Sequence, residues 1–336
     1  MRSFIFAIGI IWASFVHGFE IEAEERFGPE NAQTSLSILS TADIAYFEPM
    51  IRSFLATNPD IAIDYTVASS SQVMTGIAED QVRFDLVISS AMDLQIKLAN
   101  DGFALKHTPP RTVDLPAWAH WNSMVFAFSQ EPATVVMSKD TLAALGPYQT
   151  RQSLIGLIRK NPDQFRGRIG TYDIRSSGLG YLFATQDARG SETFWRLMEV
   201  MGQSGVKLYC CSSDMIGDVL SGKLDIAYNV LGSYALRHPQ ADQVAIILPQ
   251  DTTTVMLRSV LIPKTTQQPA LAAMFLDHIL QHAFNDQTGE GRSVIGGTPI
   301  QPSAVNRIGL GPGLLVFLDN YKKQRFLLEW ESAILQ

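Results

Sequence analysis

The sequence predicts an α/β protein of two similar units, and three observations predict it. Short apolar runs end in Ser, Thr or Asp turns and lead into helical stretches. That theme occurs three times early in the chain and three times again from residue 168 onward. Extended segments lie between the two series and after the second, the layout of a hinged pair of lobes. Alternating strand, polar turn and helix is the pattern of a parallel sheet with crossover helices. The 336 residues, 46% hydrophobic and 18% charged, are enough for two domains.

The elements follow in order. Residues 36–39 read as a strand ending in Ser40, Thr41 and Asp43, with a helix to about 56. Residues 61–67 form a second strand, ending in Ser69, Ser70 and Ser71. Residues 84–88 form a third, ending in Ser89 and Ser90 before a helix over 92–100. Residues 125–128 and 133–137 read as two strands interrupted by Glu131 and Pro132. Residues 141–165 are helical, with breaks at Gly146-Pro147 and Asn161-Pro162. The second series has strands at 168–171, 206–209 and 224–228. Its turns carry Tyr172, Asp173, Arg175, Ser176 and Ser177, then Cys210, Cys211, Ser212 and Ser213, then Asn229, Gly232 and Ser233. Residues 244–248 and 253–262 are extended, and the remainder is mainly helical.

The N-terminus reads as a secretory signal over 1–18. Arg2 supplies a positive start, an apolar run covers 4–16, and Val16 and Gly18 suit cleavage, so that the mature chain begins near Phe19. An N-terminal anchor or buried helix is the alternative. Residues 19–33, rich in acid, read as a loose leader. The net charge of -7 argues against nucleic acid, which needs a basic footprint.

In open α/β sheets ligands bind beyond the carboxyl ends of the strands. Here those ends carry hydroxyls and open helices, whose first N–H groups are unpaired and partly positive. Three Ser-rich turns can converge on one anion-friendly pocket. For any single turn, the plainer reading is that its Ser or Asp only caps the helix.

The segments 84–93, 168–173, 177–180 and 222–229, with Gly297-Thr298-Pro299-Ile300 and the helix from 314, carry a resemblance. In that order they resemble the type 2 periplasmic solute-binding proteins of ABC transporters, the branch that includes ferric-ion and phosphorylated-sugar binders. The resemblance covers nearly the whole mature chain. It implies a two-lobed α/β fold with two crossover strands and an interlobe cleft that closes on its ligand. Lobe 1 would hold 34–130 plus 252–336, and lobe 2 would hold 131–251. Thr41, Ser70, Ser89 and Ser90 would form one wall, and Tyr172, Arg175, Ser176, Ser177, Tyr228 and Asn229 the other.

The function so implied is a periplasmic receptor that captures a small anionic solute, a carboxylate or phosphate ester. It would pass the solute to the membrane permease of an ABC transporter. A ligand-sensing accessory acting on the periplasmic domain of a sensor kinase is the alternative partner reading. A ferric-ion binder is a poorer match, because residues 230–234 lack an adjacent tyrosine pair and leave only Tyr228 and Tyr234. No catalytic residue, metal or cofactor is expected, and the receptor is expected to be a monomer.

Arg175 is the leading ligand contact, since a guanidinium grips carboxylate or phosphate bidentately; its plainer partner is Asp173. Tyr172, Tyr228 and, less so, Trp121 can pack on a ligand. Cys210 and Cys211 are the only cysteines and lie far from the signal, which argues against a lipoprotein. A vicinal bridge and two free thiols both remain open, the thiols being the simpler state, since adjacent Cα atoms are closer than a relaxed disulfide allows. His278 and His282, beside Asp277, share a helix face and read as a solvated or half-buried face rather than a metal site. Gly178-Leu179-Gly180 and Gly309-Leu310-Gly311 lack dinucleotide-loop spacing, and no Gly-x-Ser-x-Gly elbow occurs.

Overall fold

The computed structural model describes residues 19–110, 115–146, 150–284 and 305–336. The first series comprises β1 (Ala23–Phe27), β2 (Thr34–Ser40), α1 (Ile44–Thr57), β3 (Ile61–Val67), α2 (Ser70–Ala78), β4 (Leu86–Ser89) and α3 (Met92–Asn100). A connection follows through β5 (His120–Trp121), β6 (Val125–Ser138), α4 (Lys139–Leu145), α5 (Arg151–Lys160) and α6 (Pro162–Phe165). The second series is β7 (Ile169–Tyr172), α7 (Gly178–Gly190), α8 (Thr193–Gln203), β8 (Lys207–Tyr209), α9 (Ser212–Leu220), β9 (Ile226–Leu231) and α10 (Gly232–Arg237). The chain ends with β10 (Val244–Ile247), β11 (Thr253–Leu261), α11 (Pro269–Phe284), β12 (Val305–Arg307) and α12 (Asn320–Ile334).

The strands run in the order β1-β3-β2-β4-β11-β6-β9-β7-β8. β2 is parallel to β3 and β4, and β7 is parallel to β8 and β9. β6 joins the two halves. It pairs with β11 up to Pro132 and with β9 from Ala133 onward. The two strands read at 125–128 and 133–137 are therefore one. Pro132 sits where β6 changes partner, a place where a missing N–H is tolerated. β11 carries the chain back into the first half. These are the two crossover strands of a two-lobed α/β fold.

Each half has its own core. Leu36, Ile38, Ile63 and Leu86 pack beneath Phe47, Phe54 and Phe275 in the first. Val135, Met137, Ile169 and Ile226 pack against Phe194, Leu197 and Trp330 in the second. A third cluster spans both, from Leu39 and Val87 to Tyr172, Phe183 and Leu231.

Two further segments differ from the sequence reading. Residues 19–33 are not a loose leader throughout: β1 pairs antiparallel with β3, and its exposed charges suit an edge strand. The C-terminal helix does not stay with the first half, in contrast to the expected grouping of 252–336 with lobe 1. Phe326, Trp330 and Ile334 of α12 join the second core, and a Cβ on Gly202 of α8 would lie 2.6 Å from the Ala333 carbonyl. The amphipathic face of α12 finds its apolar partner there. The signal over 1–18 and the 297–300 segment lie outside the described residues.

Candidate functional site: the interlobe pocket

The carboxyl ends of the parallel strands in both halves face one another across a pocket. Thr41, Asp43, Ser69, Ser70 and Ser90 form one wall, with Glu22 at its edge. Tyr172, Ser176, Ser177, Ser212 and Tyr234 form the other, and Arg258 of β11 also lines the space.

The capping positions of four helices line this pocket: Asp43 before α1, Ser69 before α2, Ser177 before α7 and Cys211 before α9. Ser69 Oγ accepts from the Gln72 N–H and Ser177 Oγ accepts from the Gly180 N–H, each at 3.2 Å. Asp43 and Cys211 make no side-chain cap bond. Two helix ends from each half thus bring partial positive charge to one space.

The walls touch. Ser71 Oγ donates to the Ser176 carbonyl at 2.8 Å. Tyr46 stacks on Tyr234 with ring centroids 5.3 Å apart, and Arg237 Nη1 donates to the Tyr46 carbonyl at 2.9 Å. The halves meet in a closed arrangement.

Arg258 and Glu131 are each 0% exposed. Arg258 Nε donates to Glu131 at 2.8 Å and Nη2 at 3.3 Å, while Ser129 and Ser233 hydroxyls donate to the same carboxylate. Burial would pull the guanidinium pKa down, but Glu131, Tyr234 and Tyr46 more than offset it. Arg258 is a permanent cation. Burial raises the Asp43 carboxyl above its ordinary value; Arg258 pulls the other way and Asp214 adds to the rise. Glu22 is raised by burial first, then by Asp43 and Asp214.

Six of the residues read from sequence line the pocket: Thr41, Ser70, Ser90, Tyr172, Ser176 and Ser177. Four do not. Ser89 is buried, and its Oγ accepts the Ala91 N–H at 3.1 Å. Arg175 is engaged from its own turn: Nε and Nη2 grip Asp173 at 2.8 and 2.6 Å, and Nη1 lies 3.6 Å from Glu331 of α12. A carboxylate two residues away holds the guanidinium before a ligand can.

Tyr228 and Asn229 are also displaced from the expected wall. Asn229 Nδ2 donates to Asp187 at 2.8 Å, and Tyr228 Oη accepts from Arg151 Nε at 3.1 Å. Arg151 Nη2 and Thr254 Oγ1 donate to the other oxygen of Asp187. That buried network ties α5, α7, β9 and β11 together. Tyr234 lines the pocket and Tyr228 does not, so the two tyrosines of the ferric reading are separated.

Sequence reasoning missed Arg258, Glu22 and the cysteine pair. A single charge inside the apolar run of β11 was the available signal for Arg258, because a buried charge needs a reason. Cys210 and Cys211 line the pocket and are joined as a vicinal disulfide, not two free thiols. The one three-donor group among the described residues with metal-ligating spacing is this pair with Asp214, and the bridge occupies its sulfurs. His278 and His282 lie on α11, outside the pocket lining; burial, then His282, pushes His278 down to about 4.

A two-lobed α/β protein whose strand ends enclose a hydroxyl-lined pocket is a ligand-binding protein of the periplasmic type. Residues 36–285 match the family described as bacterial extracellular solute-binding protein, and the chain belongs to it. It is similar to the substrate binding protein of the ABC transporter from Agrobacterium tumefaciens, at 32% identity and a TM-score of 0.85, over 94% of this chain and 98% of that one. AfuA from Actinobacillus pleuropneumoniae, solved with fructose-6-phosphate bound, matches at 16% identity and TM-score 0.68, over 90% and 99% of the two chains. Iron-bound HitA from Pseudomonas aeruginosa matches at 14% and 0.66, over 89% and 99%. These two likenesses are of fold. Among curated proteins, none matches the chain. No helix among the described residues is long and apolar enough to cross a membrane.

Proposed function

We propose that this chain is the periplasmic receptor of an ABC importer, capturing a small solute with a carboxylate or phosphate group and doing no chemistry on it. Residues 1–18 direct export and are removed, and the receptor acts as a monomer. Lobe 1 is built on 34–130 and the return strand β11; lobe 2 is built on 131–251 and borrows α12. The carrying observation is that four helix N-termini, two from each half, cap onto one pocket. A solute touching both walls stabilises the closed arrangement by the difference in its affinity for the two states. The permease then reads the closed face.

The test is mass spectrometry of the small molecules released from natively purified protein, followed by a thermal-shift screen. A ligand that binds only the folded state raises the melting temperature. Binding of an anionic solute that is recovered unchanged supports the proposal. Turnover of the solute, or a preference for solutes without an anionic group, overturns it.

A further inference from the structure

Arg258 offers one hydrogen-bonding group that no described residue uses. Its Nε and Nη2 are taken by Glu131, and the Tyr46 ring lies 4.7 Å from its guanidinium carbon. Nη1 is buried and has no partner among the described residues, and the residue lines the interlobe pocket. An unpaired N–H of a buried cation is costly unless something accepts from it. A planar guanidinium already gripped on two sides holds that third donor in a fixed direction, which suits an oxyanion.

The same pocket holds acid that no cation among the described residues pairs with. Glu22 and Asp43 line it, and neither forms an ion pair among the described residues. Ser213 supplies Asp43 with a hydroxyl, while Asp214 and Glu22 repel it. Arg258 is charge-balanced by Glu131, and its attraction for Asp43 offsets burial only in part. A purely anionic solute would gain the Arg258 donor and the helix ends, but would leave two carboxylates in the enclosed space without a counter-charge.

We infer that the solute is bipolar, with an oxyanion on Arg258 Nη1 and an ammonium group, a few bonds away, against Glu22 and Asp43. This rests on the receptor reading above and narrows its ligand to small zwitterions. Aminoalkyl carboxylates and aminoalkyl phosphate esters share that chemistry.

The experiment is calorimetry of the intact mature protein, stripped of ligand by unfolding and refolding. The probes are β-alanine, γ-aminobutyrate and O-phosphoethanolamine, each beside its amine-free counterpart: propionate, butyrate and ethyl phosphate. At least one zwitterion is expected to bind at least ~10-fold tighter than its counterpart, the scale of one charge-assisted contact in an enclosed site. Glu22→Gln with Asp43→Asn should collapse that ratio toward one while keeping the oxyanion contact. Arg258→Lys keeps a partner for Glu131 and should weaken both members of a pair. An equal or better fit for the amine-free members overturns the inference, as does an unchanged ratio in the double variant. If no probe binds but sugar phosphates or dicarboxylates still raise the melting temperature, the bipolar inference falls and the receptor reading stands. If no solute of any kind binds, both fall.

Discussion

Gly178, the first residue of α7, lies so close to Ser70, the first of α2, that a Cβ on Gly178 would stand 2.7 Å from the Ser70 Cβ. The two residues belong to opposite walls. Leu94 of α3 would be 3.1 Å from the same atom. No side chain fits there while the halves are closed, yet an open arrangement would accept one. Gly178→Ala is therefore expected to act on closure alone. Overpacking of about 1–3 kcal/mol in the closed state weakens solute binding by roughly 5- to 150-fold. Calorimetry with the co-purified solute gives the affinity, and small-angle scattering gives the ligand-induced compaction. Unaltered affinity and compaction would show that the two helix starts separate freely when the protein is loaded.

The Asp187 network makes a different prediction for residues that the sequence placed on the cleft wall. Arg151 and Asp187 have side chains only 3% and 0% exposed, and their ion pair is 2.7 Å long. Removing one partner leaves a buried charge, so Arg151→Met should destabilise the protein by about 3–5 kcal/mol. Tyr228→Phe loses one buried hydrogen bond and should cost about 1 kcal/mol. Neither should change solute affinity more than about twofold beyond that loss of stability. Urea denaturation and calorimetry on the same samples separate the effects. A large affinity loss in a stable Tyr228→Phe protein would return this residue to the site.

What the sequence made legible was local. Ser69 and Ser177 cap helices at strand ends, and that punctuation reveals both the parallel sheet and half of the pocket wall. Thr41, Ser70 and Ser90 follow from the same rule. The rest depends on which way side chains face. Tyr228 ends a strand region in a promising place, but β9 is buried on both faces and its ring turns into the helix layer. Arg175 sits in the right turn but is held by Asp173. Arg258 lies mid-strand in β11, far from any turn, and reaches the pocket only because that strand crosses between the halves. Glu22 reaches it because β1 extends the sheet edge. Such placements are long-range, and no local pattern encodes them.

Asp93 supplies a pH prediction. It is buried in the first turn of α3, with no cation bonded to it among the described residues, and burial raises its carboxyl to about 7 despite the Leu94 N–H. In the unfolded chain it titrates near an ordinary aspartate value. Between about pH 4 and 7 the native state holds a proton that the unfolded state has lost. Stability contributed by this group is thus full below pH 4, falls as pH rises through that window, and levels off above 7. The slope is on the order of 1.4 kcal/mol per pH unit. Asp93→Asn removes the penalty. The variant should match its parent near pH 4 and exceed it by about 2–4 kcal/mol at pH 8, measured by urea denaturation. A gain independent of pH would mean that Asp93 is ionised in the native protein.

The cysteine bridge should matter to the ligand more than to the fold. Cys210 and Cys211 are adjacent, so their link closes the shortest loop a chain allows. In the chain-entropy account such a loop adds only about 1 kcal/mol. Its position is another matter, because both residues line the pocket and Cys211 is the capping residue of α9. Reduction by a dithiol transfers two electrons and two protons to the sulfurs and oxidises the reductant to its own disulfide. The apolar bridge then becomes two separate thiols on the wall, beside Asp214. Dithiothreitol is therefore expected to shift the melting temperature of the empty protein by no more than about 2 °C. It should weaken solute binding several-fold, and Cys210→Ser with Cys211→Ser should reproduce that loss and abolish the response to reductant. Binding that is indifferent to both treatments would show that the bridge faces the pocket without touching what fills it.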